Sequence, residues 1–378
     1  MPTPRRASWV VGVLCAATIA LALGATALSE RLRPPGAPPG EPFAPVHVKR
    51  VDVHQRLAPG TADVALEIAD VEGIDVLVNL SGGAAGAGLE AQLAEARPGR
   101  VVVFMQLDPE GCCDDAWVAR EASRLGRGKA LGARGLAVGP EVARDGSGRG
   151  GAPGADGTGR EPLPLDSPRL QPIWDACAAL ELPVSVARLD AARPAAGPPP
   201  ALQGAPSSPR VLDTILHVVE RNPRVPFVVG ARGEEEADAP ATLARSMDRL
   251  PNLRIDLAGL LPALGRDPDA SRALLLAHPD RVLFGSGAGY VTDGADRGIV
   301  LGAGTPILLD RLLGGRERRL FFESAYRFLE TRDRDIPSPG AEGAPPIAGV
   351  GLPRRALEQI YHRNAERLLG LAAQEARR

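Results

Sequence analysis

Short apolar or β-branched runs punctuate the chain at eight places: residues 48–53, 74–80, 101–106, 132–138, 183–187, 226–230, 253–257 and 281–284. Between most of them lie amphipathic stretches of helical composition, at 63–69, 89–96, 116–125, 170–180, 211–221, 241–250 and 269–277. Strand-length runs alternating with helical stretches predict parallel strands joined by helical crossovers. Eight such units predict an α/β fold, a closed (β/α)8 TIM barrel. The alternative is an open doubly wound sheet. It is disfavoured because no glycine-rich phosphate loop follows the first run. Ser81-Gly82-Gly83 follows the second run and reads as a flexible loop.

Two segments break the alternation. Residues 139–164 are rich in Gly, Asp and Arg, and residues 191–209 in Ala, Pro and Ser. Both predict long loops on the C-terminal rim of the barrel. After the eighth run comes a helical stretch, 311–330, carrying Phe321, Phe322, Tyr326 and Phe328. Those aromatics are expected to pack this C-terminal extension onto the barrel rather than to form a ligand box. A last helix is predicted from Arg354 to about Ala373, just after Leu352-Pro353.

The N-terminus has a different character. Arg5 and Arg6 precede an uncharged stretch whose core, residues 9–28, is long enough to cross a bilayer as a helix. Ala25-Thr26-Ala27 also offers a cleavage site of the A-x-A kind. Residues 1–29 therefore read as a hydrophobic signal-anchor helix or a cleaved signal peptide. Either one sends the body out of the cytoplasm, and the anchor adds a membrane contact. Residues 30–45 are a proline-rich linker, and 46–373 the barrel.

Composition refines this picture. A net charge of −2 gives no reason to expect a nucleic-acid partner. Aromatic residues make up only 3%, so the core must be built from Leu, Val, Ile and Ala. The cysteines are Cys15, Cys112, Cys113 and Cys177. Adjacent Cys112 and Cys113 do not easily bridge each other, and pairing of one with Cys177 is the alternative. The favoured reading is free or buried thiols. No Cys/His cluster has the spacing of a structural zinc site.

Several segments share motifs with one family. Val51-Asp52-Val53-His54-Gln55-Arg56 looks like a D-x-H-x-H strand. Gly132-Ala133-Arg134-Gly135-Leu136-Ala137 looks like a "GARGLK" strand. Residues 166–174 match a "DDPRLDPIW" helix entry, 251–257 a "PNxYVDL" strand, and 281–287 "RILFGTD". Residues 328–337 and 360–368 are close to the tail of a bacterial subgroup. From about Val51 to Leu371 the chain resembles the amidohydrolase-related family, the amidohydrolase 2 branch of the metal-dependent hydrolase superfamily. Its relatives include aminocarboxymuconate-semialdehyde decarboxylase-like proteins.

The resemblance implies a TIM barrel with one divalent metal, such as zinc, at its C-terminal mouth. There the metal would acidify a water or polarise a substrate oxygen. Position by position, this chain departs from that pattern. His54 matches the first histidine of the pair, but the second is Arg56. The fourth-strand polar residue is Ala137, the fifth- and sixth-strand histidines are Ala187 and Ala231, and the eighth-strand aspartate is Gly287. Catalytic zinc usually takes three protein ligands, and a single imidazole is a weak site. The sequence therefore predicts a metal-ligand-depleted relative with no cofactor, serving as a binding or scaffold module. The alternative is an active hydrolase or decarboxylase with a rearranged metal site, drawing on His54, Asp52, Asp293 or the rim acids. Metal-free acid–base work by His54 is a third reading, because imidazole ordinarily titrates near neutral pH. Arg56, Arg188 and Arg232 fall at or just past lost ligand positions. Together they suggest an anion site for a small carboxylated ligand, guanidinium being suited to bidentate carboxylate recognition. The blander reading pairs these arginines with Asp190 and Glu234–Glu236.

Overall fold

A computed structural model describes residues 43–139, 143–144, 163–187, 209–230, 239–293, 296–301, 307–308, 313–339 and 344–371. The chain divides into two units, Met1–Ala44 and Pro45–Arg378, and every described element lies in the second. The leader and nearly all of the proline-rich linker lie outside the described residues. Among those described, no helix is long and apolar enough to cross a membrane.

The eight expected strands are present and parallel. They are Val51–Leu57, Val76–Asn79, Val101–Val103 with Met105–Gln106, Leu136–Val138, Val184–Ala187, Phe227–Gly230, Leu253–Asp256 and Val282–Leu283. Neighbours pair along the ladder, for example Ala187 with Gly230 and Ile255 with Val282. Two interruptions leave the ladder in two six-stranded sheets. The third strand breaks at Phe104, so Val101–Val103 pairs with the second strand and Met105–Gln106 with the fourth. The eighth strand breaks at 284–287 and resumes as Ala288–Asp293, which pairs with the first. Backbone hydrogen bonds bridge that break: Val53 N–H donates to Phe284 O at 2.9 Å, and Gly287 N–H to His54 O at 3.1 Å. The circuit closes, which rules out the open sheet.

Helices fill the crossovers where the sequence places them. Asp114 caps Asp115–Leu131 by accepting the Trp117 N–H at 2.8 Å. Gly73, in the left-handed region at φ 70°, ends Ala62–Glu72. Loop 81–83 is more constrained than a flexible loop. A Cβ on Gly82 would collide with the Phe104 carbonyl oxygen, so only glycine fits there.

The barrel interior is apolar, with Val53, Val78, Phe104, Ala137, Val228 and Leu283 in one buried cluster. Ala365 and Leu369 of the C-terminal helix join that cluster. Asn364 donates to the carbonyls of Pro279 and Val282 at 2.8 and 2.6 Å, holding this helix at the start of the eighth strand. The final helix is not uniform: Arg354–Glu358 passes through a π-helical turn, Gln359–Arg363, into Asn364–Leu369.

The aromatic extension packs as expected. Phe284 stacks on Tyr326 at 5.8 Å and meets Tyr361 edge-on at 5.3 Å. Arg50 lies over both tyrosine rings, at 4.5 and 4.9 Å, and reaches Glu330 at 3.5 Å. The sulfurs of Cys112 and Cys113 face each other across a cis peptide, against the expectation of separate thiols. Cys177 is buried and free, which excludes its pairing with either.

Candidate functional site

The first barrel strand carries the site's central residues. Its side chains would alternate strictly between faces, but the register against the second strand shifts between Asp52 and Gln55. Asp52 holds this irregular stretch together. It accepts the backbone N–H groups of His54 and Ser286, each at 3.0 Å, and the Gln55 amide at 2.5 Å. Gln55 also donates to Ser286 Oγ at 2.8 Å, and that oxygen accepts the Ala288 N–H at 3.1 Å. This network ties the first strand to the broken eighth. Burial pushes the Asp52 carboxyl above its ordinary range, although the hydrogen bonds from Ser286, His54 and Gln55 pull the other way.

His54 is not alone. Its Nδ1 lies 2.5 Å from Asp256 Oδ2, with side-chain exposures of 8% and 1%. Asp256 ends the seventh strand, and its Oδ1 accepts the Ala258 N–H at 2.9 Å. Against an ionised carboxylate, which only accepts, Nδ1 is the donor and Nε2 is left as the other functional atom. Two glycines make room for the pair. A Cβ on Gly230 would lie 2.9 Å from Asp256 Oδ2 and 3.5 Å from His54 Nδ1. A Cβ on Gly285 would collide with Asp256 Oδ1 and lie 3.0 Å from His54 Cβ.

The other family positions offer a metal little. Arg56 is exposed at the end of the first strand and brings a cation. Ala137 is buried in the apolar barrel cluster. Ala187 ends the fifth strand. Gly287 sits at φ 77°, in the left-handed region that favours glycine. This position therefore offers no carboxylate to a metal. Ala231, Arg188 and Arg232 lie outside the described residues, as do Asp190 and Glu234–Glu236. The anion site drawn from the three arginines is therefore represented here by Arg56 alone. Asp293 ends a strand paired antiparallel with Asp296–Val300, in a hairpin that extends the eighth strand.

The other histidines lie elsewhere, His47 exposed ahead of the first strand. His278 contacts Asp248 and Arg281 at 3.1 and 2.7 Å, and His362 contacts Glu366 at 3.0 Å. His217 is exposed on its helix, 3.8 Å from Asp166. Among the described residues no three His, Cys, Asp or Glu side chains gather as a metal would require. Among the described residues, the donor set does not fit the divalent ion that the family resemblance implies.

Sequence reasoning missed Asp256. The available signal was position: it closes the run 253–256 two residues past Arg254, where alternation returns a side chain to the same face.

The family model described as Amidohydrolase matches residues 32–371. Among solved structures, a TIM-barrel protein from Bordetella bronchiseptica is 14% identical, with a TM-score of 0.48, covering 86% of this chain and 100% of its own. The 2,6-dihydroxybenzoate decarboxylase from Rhizobium is 16% identical, with a TM-score of 0.48, covering 86% and 99%. The 5-carboxyvanillate decarboxylase from Sphingomonas paucimobilis is 14% identical, with a TM-score of 0.45, covering 85% and 98%. A search of curated proteins finds no match.

Proposed function

The chain belongs to the amidohydrolase family, matched over residues 32–371, and from that premise we propose that it is a member that has given up metal-assisted hydrolysis. Its barrel mouth serves instead as a binding or scaffold surface outside the cytoplasm. The observation that carries this reading is the donor set. His54 spends one ring nitrogen on Asp256, and Arg56, Ala137 and Gly287 stand where further ligands would be needed. A divalent cation beside Arg56 would meet repulsion rather than an electron pair.

The ligand class follows from charge. Arg56 brings a guanidinium to the rim, and Arg188 and Arg232 follow the other depleted positions in sequence. Guanidinium groups favour carboxylates, so the proposed ligand is a small carboxylated molecule. The leader at 1–29 supports export, as an anchor or a cleaved signal.

Elemental analysis of the purified protein, after loading with zinc or manganese and dialysis, tests the reading. Metal far below one equivalent is expected. One equivalent that disappears in His54→Ala would reverse it and favour an enzyme with a rearranged centre. Calorimetric titration with small carboxylates tests the ligand class: binding is expected, and weakened by Arg56→Ala. No binding, or binding indifferent to that substitution, would remove the carboxylate.

A further inference from the structure

We infer that His54 and Asp256 form a metal-independent general-base pair in the barrel mouth, able to activate water toward a carboxylic ester. The inference rests on the reading that no metal occupies His54.

Three observations lead to it. The first is the contact itself, 2.5 Å between Nδ1 and a carboxylate oxygen. Asp256 is in turn held from its other oxygen by the Ala258 N–H. A base oriented by a second group, itself anchored, is the arrangement by which proteins activate oxygen nucleophiles. The second is access. Asp256 is sealed at 1% exposure while His54 keeps 8%, so solvent meets the pair through the imidazole. The third is the space around it. Gly230 ends the sixth strand and Gly285 lies in the break of the eighth, and at both a side chain would crowd the same two groups.

A structural role explains these features less well. Burying a carboxylate costs desolvation that packed apolar side chains avoid. Asp52, rather than Asp256, stitches the first and eighth strands together.

The step balances without a co-reactant. His54 Nε2 takes a proton from water as the water oxygen's electron pair bonds to the ester carbonyl carbon. The resulting tetrahedral species breaks its bond to the leaving oxygen, which receives the proton back from Nε2. The products are the carboxylic acid and the alcohol. Asp256 does not touch the substrate and acts as a positioning residue.

The probe is p-nitrophenyl acetate with the full chain in the presence of EDTA. We expect hydrolysis above the buffer rate, unaffected by chelation and slowed in deuterium oxide. His54→Gln should abolish it, and His217→Gln, at an exposed histidine, should leave it intact. Asp256→Asn should lower kcat by about 100-fold with KM little changed, within the usual reach of general-base assistance. A low-field Nδ1–H proton resonance should be present in the parent and absent from both site variants. Thermal melts establish that the variants fold, and where Asp256→Asn does not, His54→Gln and the parent's resonance decide. Hydrolysis at the buffer rate, a rate unchanged in His54→Gln, or no effect of deuterium oxide would overturn the inference. Hydrolysis lost on chelation and restored by zinc would instead overturn the reading that metal chemistry is gone.

Discussion

Gly285 shows how tightly the mouth is specified at the scale of one residue. Its missing side chain is the space that Asp256 Oδ1 occupies. Gly285→Ala should cost about 1–3 kcal/mol, a typical price of overpacking, and should push His54 and Asp256 apart. Differential scanning calorimetry and the imidazole N–H resonance would register both effects; an unchanged melt with an unchanged resonance would contradict the geometry. Asp52 invites the opposite experiment. Its carboxyl is raised by burial, so its contribution to stability is complete below the ordinary aspartate range and is lost as pH rises through the higher folded value. Asn at 52 does not titrate, and Gln55 has a buried Oε1 without a partner that a turned amide could offer to it. The melting temperature of Asp52→Asn relative to the parent should therefore climb with pH across that interval. A difference that stays flat would mean that Asp52 is not raised. His54, Arg56, Ala137 and Gly287 were legible in the sequence because they sit in motifs. Asp256 sits in one too, yet its role was not legible, because its partner is 202 residues away and only barrel closure brings them together.

At the scale of elements, alternation of apolar runs and helical stretches located all eight strands, because buried parallel strands read as short apolar runs. Their ends moved by a few residues. The first strand, expected at 48–53, runs Val51–Leu57, since His54, Gln55 and Arg56 are polar yet belong to the ladder. The break in the eighth strand had no signal of its own. It depends on Gly287 adopting a positive φ and on backbone groups finding partners across the seam. The last helix also hid its π-helical turn, which leaves the apolar pattern unbroken. Corners between elements are set by single side chains, as Asn252 illustrates. Its amide donates to the carbonyls of Val219, Asn222 and Val225 at 2.9, 3.0 and 3.0 Å, joining a helix end, its turn and the entry to the seventh strand. Asn252→Ala leaves those buried carbonyls short of donors and should destabilise by about 1–3 kcal/mol in denaturant unfolding. A loss within error would mean that water satisfies the corner equally well.

For the whole molecule, closure of the barrel makes the core continuous, and the C-terminal helix completes it from the end where the eighth strand begins. Cys177 is a reporter of that closure. It is fully buried, and burial pushes its thiol up to about 12. Since the thiolate is the reactive form, Cys177 should resist alkylation at pH 8 in the native state and react once denaturant unfolds the chain. Rapid native labelling at that position, read by peptide mass spectrometry, would show an interior that opens far below global unfolding. The same scaffold that keeps Cys177 inaccessible keeps the family architecture, while the positions where the resemblance places metal ligands carry Arg56, Ala137, Ala187, Ala231 and Gly287. Whether that architecture still grips a cation is decided by titrating zinc into chelator-stripped protein in a calorimeter. The account predicts no saturable heat at one equivalent. A one-site isotherm in the parent that His54→Ala abolishes would contradict it.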